Sequence, residues 1–356
     1  MDKVRLGRTG LMVSRVGMGG IPIQRPPFDE AVKIVQRAID LGVNFFDTSI
    51  GYGDSELRIG KAIEGRRDEV ILATKGSWRS EERASETIEG SLKRLNVDRI
   101  NIWQFHNIPT IESLGQVLSD GGAIRAAQKA LDEGRIGHLG MSTHNLDVAL
   151  RAVDSGCFET VQFPFNFISN EAVDELLPLA RKNDVGFIGM KPFAGGNILD
   201  ANLAIKYVLQ FENVVPDPGI EKVEEIEEII GIVNGSWELA LDEHRRIEEI
   251  HEELGTRFCR QCLYCMPCPQ GVNIWMLMIT QGMFRLWPLD NFFEWMKEPI
   301  ESGSNCIQCG ECEQKCPYQL PIREMIKENI DFYEKVTQEF AESESRVIMN
   351  EKGEIG

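Results

Sequence analysis

Along the first 235 positions, short apolar runs alternate with amphipathic stretches of helical period. The runs Val16–Gly20, Val43–Asp47, Val70–Thr74, Ile100–Phe105, Ile136–Met141, Thr160–Phe163, Val185–Met190 and a weaker Asn213–Val215 read as strands. Between them Ala31–Leu41, Ser55–Glu64, Glu82–Leu95, Ala123–Glu133, Leu146–Asp154, Ala172–Lys182, Asn202–Gln210 and Lys222–Ile230 read as helices, with Asp29 and Asn170 as expected N-caps. Strands that are apolar throughout imply a parallel sheet covered on both faces. Eight such repeats in roughly 230 residues fit a (β/α)8 barrel in count and length. A doubly wound open sheet is the second architecture, but no G-x-G-x-x-G follows the first strand and opens a helix, and Met18-Gly19-Gly20 is not that motif. Ahead of the first strand, Val4–Val16 carries Gly7-Arg8-Thr9-Gly10 between apolar residues, as a β-hairpin does.

Beyond the repeats the pattern changes. Trp237–Leu254 reads as one acidic helix, and Val272–Pro299 is rich in Trp, Phe and Met, either a dry shell around a bound group or the core of a small, mainly helical domain. The segment from Tyr333 to Gly356 is polar and reads as a surface helix followed by frayed residues. The expected division is therefore 1–235, 236–332 and a tail 333–356.

Composition narrows the function classes. A hydrophobic content of 42% and a charged content of 26% are ordinary for a globular protein. No apolar stretch approaches the roughly 18–20 residues of a membrane span. The net charge of −18 argues against nucleic acid, whose binding relies on Lys and Arg neutralising phosphates. It suits docking to a basic redox partner, or simply solubility. Met1-Asp2-Lys3-Val4-Arg5 leads into a polar segment unlike a signal peptide, so a cytoplasmic location is expected.

Eight of the nine cysteines fall in two runs: Cys259, Cys262, Cys265 and Cys268 before Pro269, and Cys306, Cys309, Cys312 and Cys316 before Pro317. The second run, C-x2-C-x2-C-x3-C-P, is the bacterial ferredoxin spacing, in which three thiolates hold one iron–sulfur cluster and the fourth reaches the other. The first run has two residues before its last cysteine where the ferredoxin run has three, so at least one and at most two 4Fe-4S clusters are expected. A disulfide framework belongs to oxidising compartments. A zinc ribbon needs only two C-x2-C pairs and leaves four cysteines unexplained. Cys157 lies apart and reads as a small buried hydrophobe.

In a (β/α)8 barrel, chemistry sits at the C-terminal ends of the strands. Those ends carry Asp47, then Tyr52 in the loop beyond, Lys75 and His106. A lysine near a tyrosine favours the phenolate and lowers the phenol pKa, an aspartate holds the ammonium, and a histidine can orient a substrate oxygen. Together they can protonate a carbonyl oxygen while another group delivers a hydride. Singly, each has an ordinary explanation as a cap, a surface lysine, a loop aromatic or a core histidine.

Asn44-Phe45-Phe46-Asp47-Thr48-Ser49, Gly51-Tyr52-Gly53-Asp54-Ser55-Glu56, Ala73-Thr74-Lys75, Gln104-Phe105-His106, Gly140-Met141-Ser142, Val161-Gln162-Phe163-Pro164-Phe165-Asn166 and Met190-Lys191-Pro192-Phe193-Ala194-Gly195-Gly196 resemble the aldo-keto reductases over roughly residues 4–230. The resemblance implies a (β/α)8 TIM barrel with NAD or NADP across its mouth and Tyr52 as general acid, supported by Asp47, Lys75 and His106. By the same resemblance Ser142 and Gln162 hold the nicotinamide carboxamide, Pro192, Phe193 and Gly195 approach the pyrophosphate, and Gly19, Gly20, Met190, Lys191 and Lys222 complete the cofactor contacts. Two departures stand out. Met190 takes the place of an aromatic ring that stacks on the nicotinamide, and in Asp217–Glu225, the segment that the resemblance places at the adenine end, Lys222 is the lone base among carboxylates, which leaves NAD and NADP both open. A subgroup with a C-terminal ferredoxin-like extension resembles the whole chain. It implies an NAD(P)H-dependent oxidoreductase interconverting a small carbonyl and alcohol, with clusters exchanging electrons with a ferredoxin- or flavin-type partner. No flavin motif is legible, and a hydride carries two electrons where a cluster takes one. The other reading is a nucleotide-binding electron-transfer or regulatory module with structural clusters.

Overall fold

The computed structural model describes the backbone of residues 1–353 and side chains through Glu342. Two compact units emerge, residues 1–252 and 253–356. The division falls later than the expected 235 because the acidic helix α10 (Leu241–Gly255) is tied at its start to the first unit. There Glu243 pairs with Lys206 at 2.8 Å and accepts from Asn202.

In the first unit a hairpin, β1 (Lys3–Arg5) and β2 (Met12–Ser14), precedes eight parallel strands. These are β3 (Met18–Gly19), β4 (Phe45–Asp47), β5 (Ile71–Gly76), β6 (Ile100–Phe105), β7 (Ile136–Ser142), β8 (Thr160–Pro164), β9 (Gly186–Met190) and β10 (Val214–Asp217), paired in sequence order. The sheet closes on itself, since Gly17 and Gly19 N–H groups donate to Pro216 and Pro218 carbonyls at 2.8 Å and Gly19 bridges Gly219. At that seam a Cβ on Gly19 would lie 2.8 Å from the Asp217 carbonyl oxygen, which is why glycine stands there. The architecture is the (β/α)8 barrel, not the open doubly wound sheet.

The barrel helices are α1 (Phe28–Asp40), α2 (Ser55–Ala62), α3 (Glu81–Leu95), α4 (Ile111–Leu118), α5 (Ala123–Asp132), α6 (Leu146–Asp154), α7 (Leu176–Lys182), α8 (Ala201–Leu209) and α9 (Val223–Val233). In α1 the buried set Ala31, Ile34, Val35, Ala38 and Ile39 repeats at helical spacing and packs on the strands. The expected caps are corrected. The α1 helix starts at Phe28 behind Pro27, which puts Asp29 inside the first turn, and α7 starts at Leu176, well past Asn170. Thr110, Asn145 and Asp200 do cap α4, α6 and α8 through their side chains. Helix α4 lies within the segment 107–121, where no helix was expected. Cys157 is exposed, not buried, because the chain turns at Gly156 and gives the buried position to Phe158.

Inside the barrel the period-2 alternation of each strand stacks two layers. The lower is apolar, with Phe45, Ala73, Ile102, Ile188 and Val215 packed on Leu6 and Val13 of the hairpin, which plugs the N-terminal end. Two residues further along the same strands come Asp47, Lys75, Gln104, Met190 and Asp217. The hydrophobic floor thus fixes the height and direction of the polar layer.

In the second unit α11 (Ile274–Met278), α12 (Thr280–Leu286), α13 (Leu289–Ser302), α14 (Glu311–Lys315) and α15 (Ile322–Gly353) form a small helical domain. The Trp/Phe/Met-rich segment serves two purposes. Val272, Ile274, Leu277 and Met278 pack with Leu320, Ile322 and six of the cysteines, whereas Phe292 and Met296 pack on Val336 of α15. Tyr333 accordingly lies within a continuous helix and packs on Phe293, so no separate tail begins there; the frayed end expected beyond it lies outside the described residues. No helix among the described residues is long and apolar enough to cross a membrane.

Candidate active site and cluster sites

The polar layer of the barrel brings the four candidate catalytic residues together. Lys75 Nζ donates to Asp47 Oδ2 and, at 2.9 Å, to the Thr48 carbonyl, with both ionic side chains almost fully buried. Gln104 Nε2 donates to Asp47 Oδ1 at 2.9 Å. The Lys75 ammonium lies 5.1 Å from the centroid of the Tyr52 ring, and that ring meets the His106 ring edge-on at 5.5 Å. Tyr52 is placed by a tight turn after β4 in which its N–H donates to the Ser49 carbonyl and Ser55 N–H to its own.

The electrostatics differ from the expectation in one respect. Burial raises the Tyr52 hydroxyl above its ordinary pKa of 10, and this outweighs the opposing pull of Lys75. The neutral phenol is therefore the resting form, ready to donate a proton. Burial alone would lower Lys75, but Asp47 and Tyr52 carry it net upward and keep it charged. Burial, then Lys75, Arg79 and Lys191, push His106 down to about 3, so it is neutral at physiological pH. Ser49 Oγ lies 2.9 Å from His106 Nδ1.

Of the expected cofactor residues, Gln162 sits midway along β8 and donates its amide to Asp47 Oδ2 at 3.1 Å and Asp217 Oδ2 at 2.6 Å. Its Oε1 is buried without a protein partner. Ser142 Oγ accepts from Asn107 N at 2.8 Å. Met190 ends β9, and Lys191, Ala194, Gly195 and Gly196 take positive φ values, so Pro192 and Phe193 lie in a sharply coiled loop. Gly20 is packed under Ser55 and Asp47, its N–H donating to the Asp47 carbonyl at 2.7 Å beside the β3–β4 pair. Lys222 is exposed at the start of α9, its N–H donating to Glu225, beside an Arg25–Glu221 pair.

Asp217 is the residue that sequence reasoning misplaced. It was read as part of the adenine-end segment, yet it is 5% exposed and faces Asp47 in the polar layer. Burial and Asp47 hold its carboxyl well above the usual carboxylate range. The missing signal was the strand's length: β10 runs two residues past Val215, and strict alternation then points Asp217 inward.

The cysteines line two cavities. Cys259, Cys262 and Cys265 share one with Cys316, beside Trp275, Tyr318 and Leu320. Cys268 shares the other with Cys306, Cys309 and Cys312, and Cys265 lines both. Each run thus sends its last cysteine to the other's cavity. Burial, then Cys259, Cys262 and Cys316, push the Cys265 thiol up to about 12, as expected where four thiols converge with no cation to balance their ionised forms. Among the described residues, no set of three His, Cys, Asp or Glu closes around a single metal ion.

With this geometry in hand, comparison with known proteins is direct. Residues 15–202 match the model of the aldo/keto reductase family, and residues 258–321 that of a 4Fe-4S dicluster domain. The chain belongs to the aldo/keto reductase family and carries the dicluster domain at its C-terminal side. It is 35% identical over 210 residues to an L-galactose dehydrogenase of Arabidopsis thaliana, covering 54% of this chain and 65% of that protein. It is 33% identical to the aldo-keto reductase YhdN of Bacillus subtilis, covering 52% and 60%. The match thus spans slightly less than two thirds of either relative. In structure it resembles aldo-keto reductase AKR11C1 of Bacillus halodurans, with a TM-score of 0.62 at 23% identity over 70% of this chain and 96% of that one. An aldo-keto reductase of Klebsiella pneumoniae, solved with NADPH, gives 0.61 at 21% identity over 70% and 95%.

Proposed function

We propose that the barrel is an NAD(P)H-dependent oxidoreductase interconverting a small carbonyl compound and its alcohol, and that the second unit holds two 4Fe-4S clusters exchanging electrons with a ferredoxin- or flavin-type partner. The observation that carries the reading is the buried Lys75–Asp47 pair beneath a neutral Tyr52, with a neutral His106 against its ring.

Tyr52 gives its proton to the substrate oxygen. The Lys75 ammonium stabilises the phenolate left behind, and Asp47, fixed by Gln104 and Gln162, keeps that ammonium aimed and charged. In the tautomer with the His106 proton on Nε2, Ser49 Oγ, 2.9 Å away, donates to Nδ1 and the ring can orient the substrate oxygen. The unpartnered Gln162 Oε1 suits the amide hydrogens of a nicotinamide carboxamide, and Ser142, already accepting from Asn107, keeps its own hydrogen for the carboxamide oxygen. When bound, the reduced nicotinamide supplies the hydride. At the adenine end Lys222 and Glu221 leave NADP and NAD as the two candidates.

Cys259, Cys262, Cys265 and Cys316 would hold one cluster, and Cys268, Cys306, Cys309 and Cys312 the other. The thiol sets fit, since each lines one cavity together with apolar residues. Free thiols of this kind belong to a reducing compartment, in line with a cytoplasmic location.

The test is anaerobic mixing of the holoprotein with NADH and, separately, NADPH, with and without a panel of aldehydes. Aldehyde-dependent nucleotide oxidation is expected, with the preferred nucleotide read from the rates, and cluster bleaching reports coupling to the second unit. Nucleotide binding with no oxidation by any aldehyde would instead favour a sensing or electron-transfer module.

A further inference from the structure

At the floor of the barrel site two carboxyl groups share one amide. Gln162 Nε2 donates to Asp47 Oδ2 at 3.1 Å and to Asp217 Oδ2 at 2.6 Å. Asp47 collects two further donors, Lys75 Nζ and Gln104 Nε2, so it holds three donors where Asp217 holds one. Asp217 receives only the Gln162 N–H, and its Oδ1 is buried with no partner. The charged or titratable groups facing Asp217 are Asp47 from β4, Lys75 from β5 and Tyr52 from the loop after β4. One ammonium balances one carboxylate. A second buried carboxylate would be uncompensated, and the donor count selects Asp217 as the group that keeps its proton.

We infer that Asp217 is a proton-holding residue of this site, protonated while the buried group is neutral and deprotonated when a positive charge arrives beside Gln162. The inference rests on the reading of Gln162 as a nicotinamide contact. During carbonyl reduction with a reduced nicotinamide nucleotide as hydride donor, Tyr52 loses its proton to the substrate oxygen. The Asp217 O–H bond then breaks, and its proton passes through Asp47 and Lys75 to re-form the Tyr52 O–H bond. The group goes from neutral to one negative charge as the bound nucleotide gains one positive charge. When oxidised nucleotide binds without substrate, the same proton leaves to solvent. Asp217 thus matches the charge of the polar layer to the redox state of the nucleotide, and acts on the substrate only through Tyr52.

The test is a proton count. Anaerobic holoprotein is titrated calorimetrically at pH 7 with oxidised and with reduced nucleotide, each in two buffers of different ionisation enthalpy, and the reduced value is subtracted from the oxidised one. Any contribution from a nucleotide phosphate cancels in that difference. Wild type should release close to one proton more with the oxidised form, and Asp217→Asn none. An equal release in both proteins, or no difference in wild type, overturns the inference. Should Asp217→Asn fail to fold, wild type alone decides through infrared difference spectra: oxidised nucleotide should remove a protonated-carboxyl band, and a band that persists overturns the inference. Failure of both nucleotides to bind would sink the proposed function and this inference together, whereas binding without the proton difference sinks the inference alone.

Discussion

Replacing Lys75 by methionine keeps the length and apolar stem of the side chain and removes its charge. In the structure that charge is almost fully buried and donates to Asp47 and to the Thr48 carbonyl. Removing one partner of a buried ion pair costs about 3–5 kcal/mol, because the other charge stays behind without compensation. The barrel unit spans 252 residues, so at about 2.1 cal/mol/K per residue its unfolding entropy is about 0.5 kcal/mol/K, and the midpoint should fall by about 6–9 °C. Lys75→Met combined with Asp47→Leu should recover part of that loss, since the uncompensated charge is gone, although Gln104 and Gln162 lose an acceptor. Acid should narrow the gap between Lys75→Met and wild type. The penalty is that of a buried charge left without a partner, so it shrinks where acid neutralises that charge. Calorimetric melting of the anaerobic holoproteins from pH 4 to 8 is the assay. A single variant within about 1 kcal/mol of wild type, or a double variant no better than the single, would refute the argument.

Three further outcomes follow from the geometry. Because Cys316 shares a cavity with the Cys259 set, Cys316→Ser with Cys259→Ser should leave one cluster intact, while Cys316→Ser with Cys309→Ser should damage both; iron and sulfide analysis and electron paramagnetic resonance distinguish the two. Unaltered protein should carry close to eight iron and eight sulfide per chain, from two cubes on the eight clustered cysteines. His106 is pushed down to about 3, below its unfolded value of about 6.5, so its stabilising contribution is fully present above pH ~6.5 and is lost as pH falls toward 3. His106→Gln should therefore show a shallower acid loss in melting temperature over that window, and an unchanged slope would contradict the buried neutral ring.

Much of the fold was legible because a parallel barrel writes itself as short apolar runs at regular spacing. Ile100–Phe105 and Leu146–Asp154 coincide with β6 and α6 to the residue. The first strand was legible only as a segment, since closure at the Gly19 seam leaves two residues in the ladder. Helix α4 was hidden in a short stretch with no helix expected, although Thr110 three residues before Ser113 is a cap signal. At the site, strand ends pointed to Asp47, Lys75 and His106, and the turn after β4 brought Tyr52 to them. Periodicity could not supply the sign of the Tyr52 shift, which depends on how deeply the ring is packed. The exchange of fourth cysteines was legible in the ferredoxin spacing, and Cys268 lines a cavity with Cys306 as Cys316 does with Cys259.

The proposed role of Tyr52 as proton donor in carbonyl reduction stands or falls on one comparison. Wild type and Tyr52→Phe, both as anaerobic holoproteins, are given reduced nucleotide and a panel of aldehydes, with nucleotide affinity measured alongside. With Tyr52 as the proton donor, Tyr52→Phe should bind nucleotide as wild type does and lose aldehyde reduction by a factor of at least about 100, the contribution typical of a positioned general acid. Aldehyde reduction at the wild-type rate in Tyr52→Phe would contradict it.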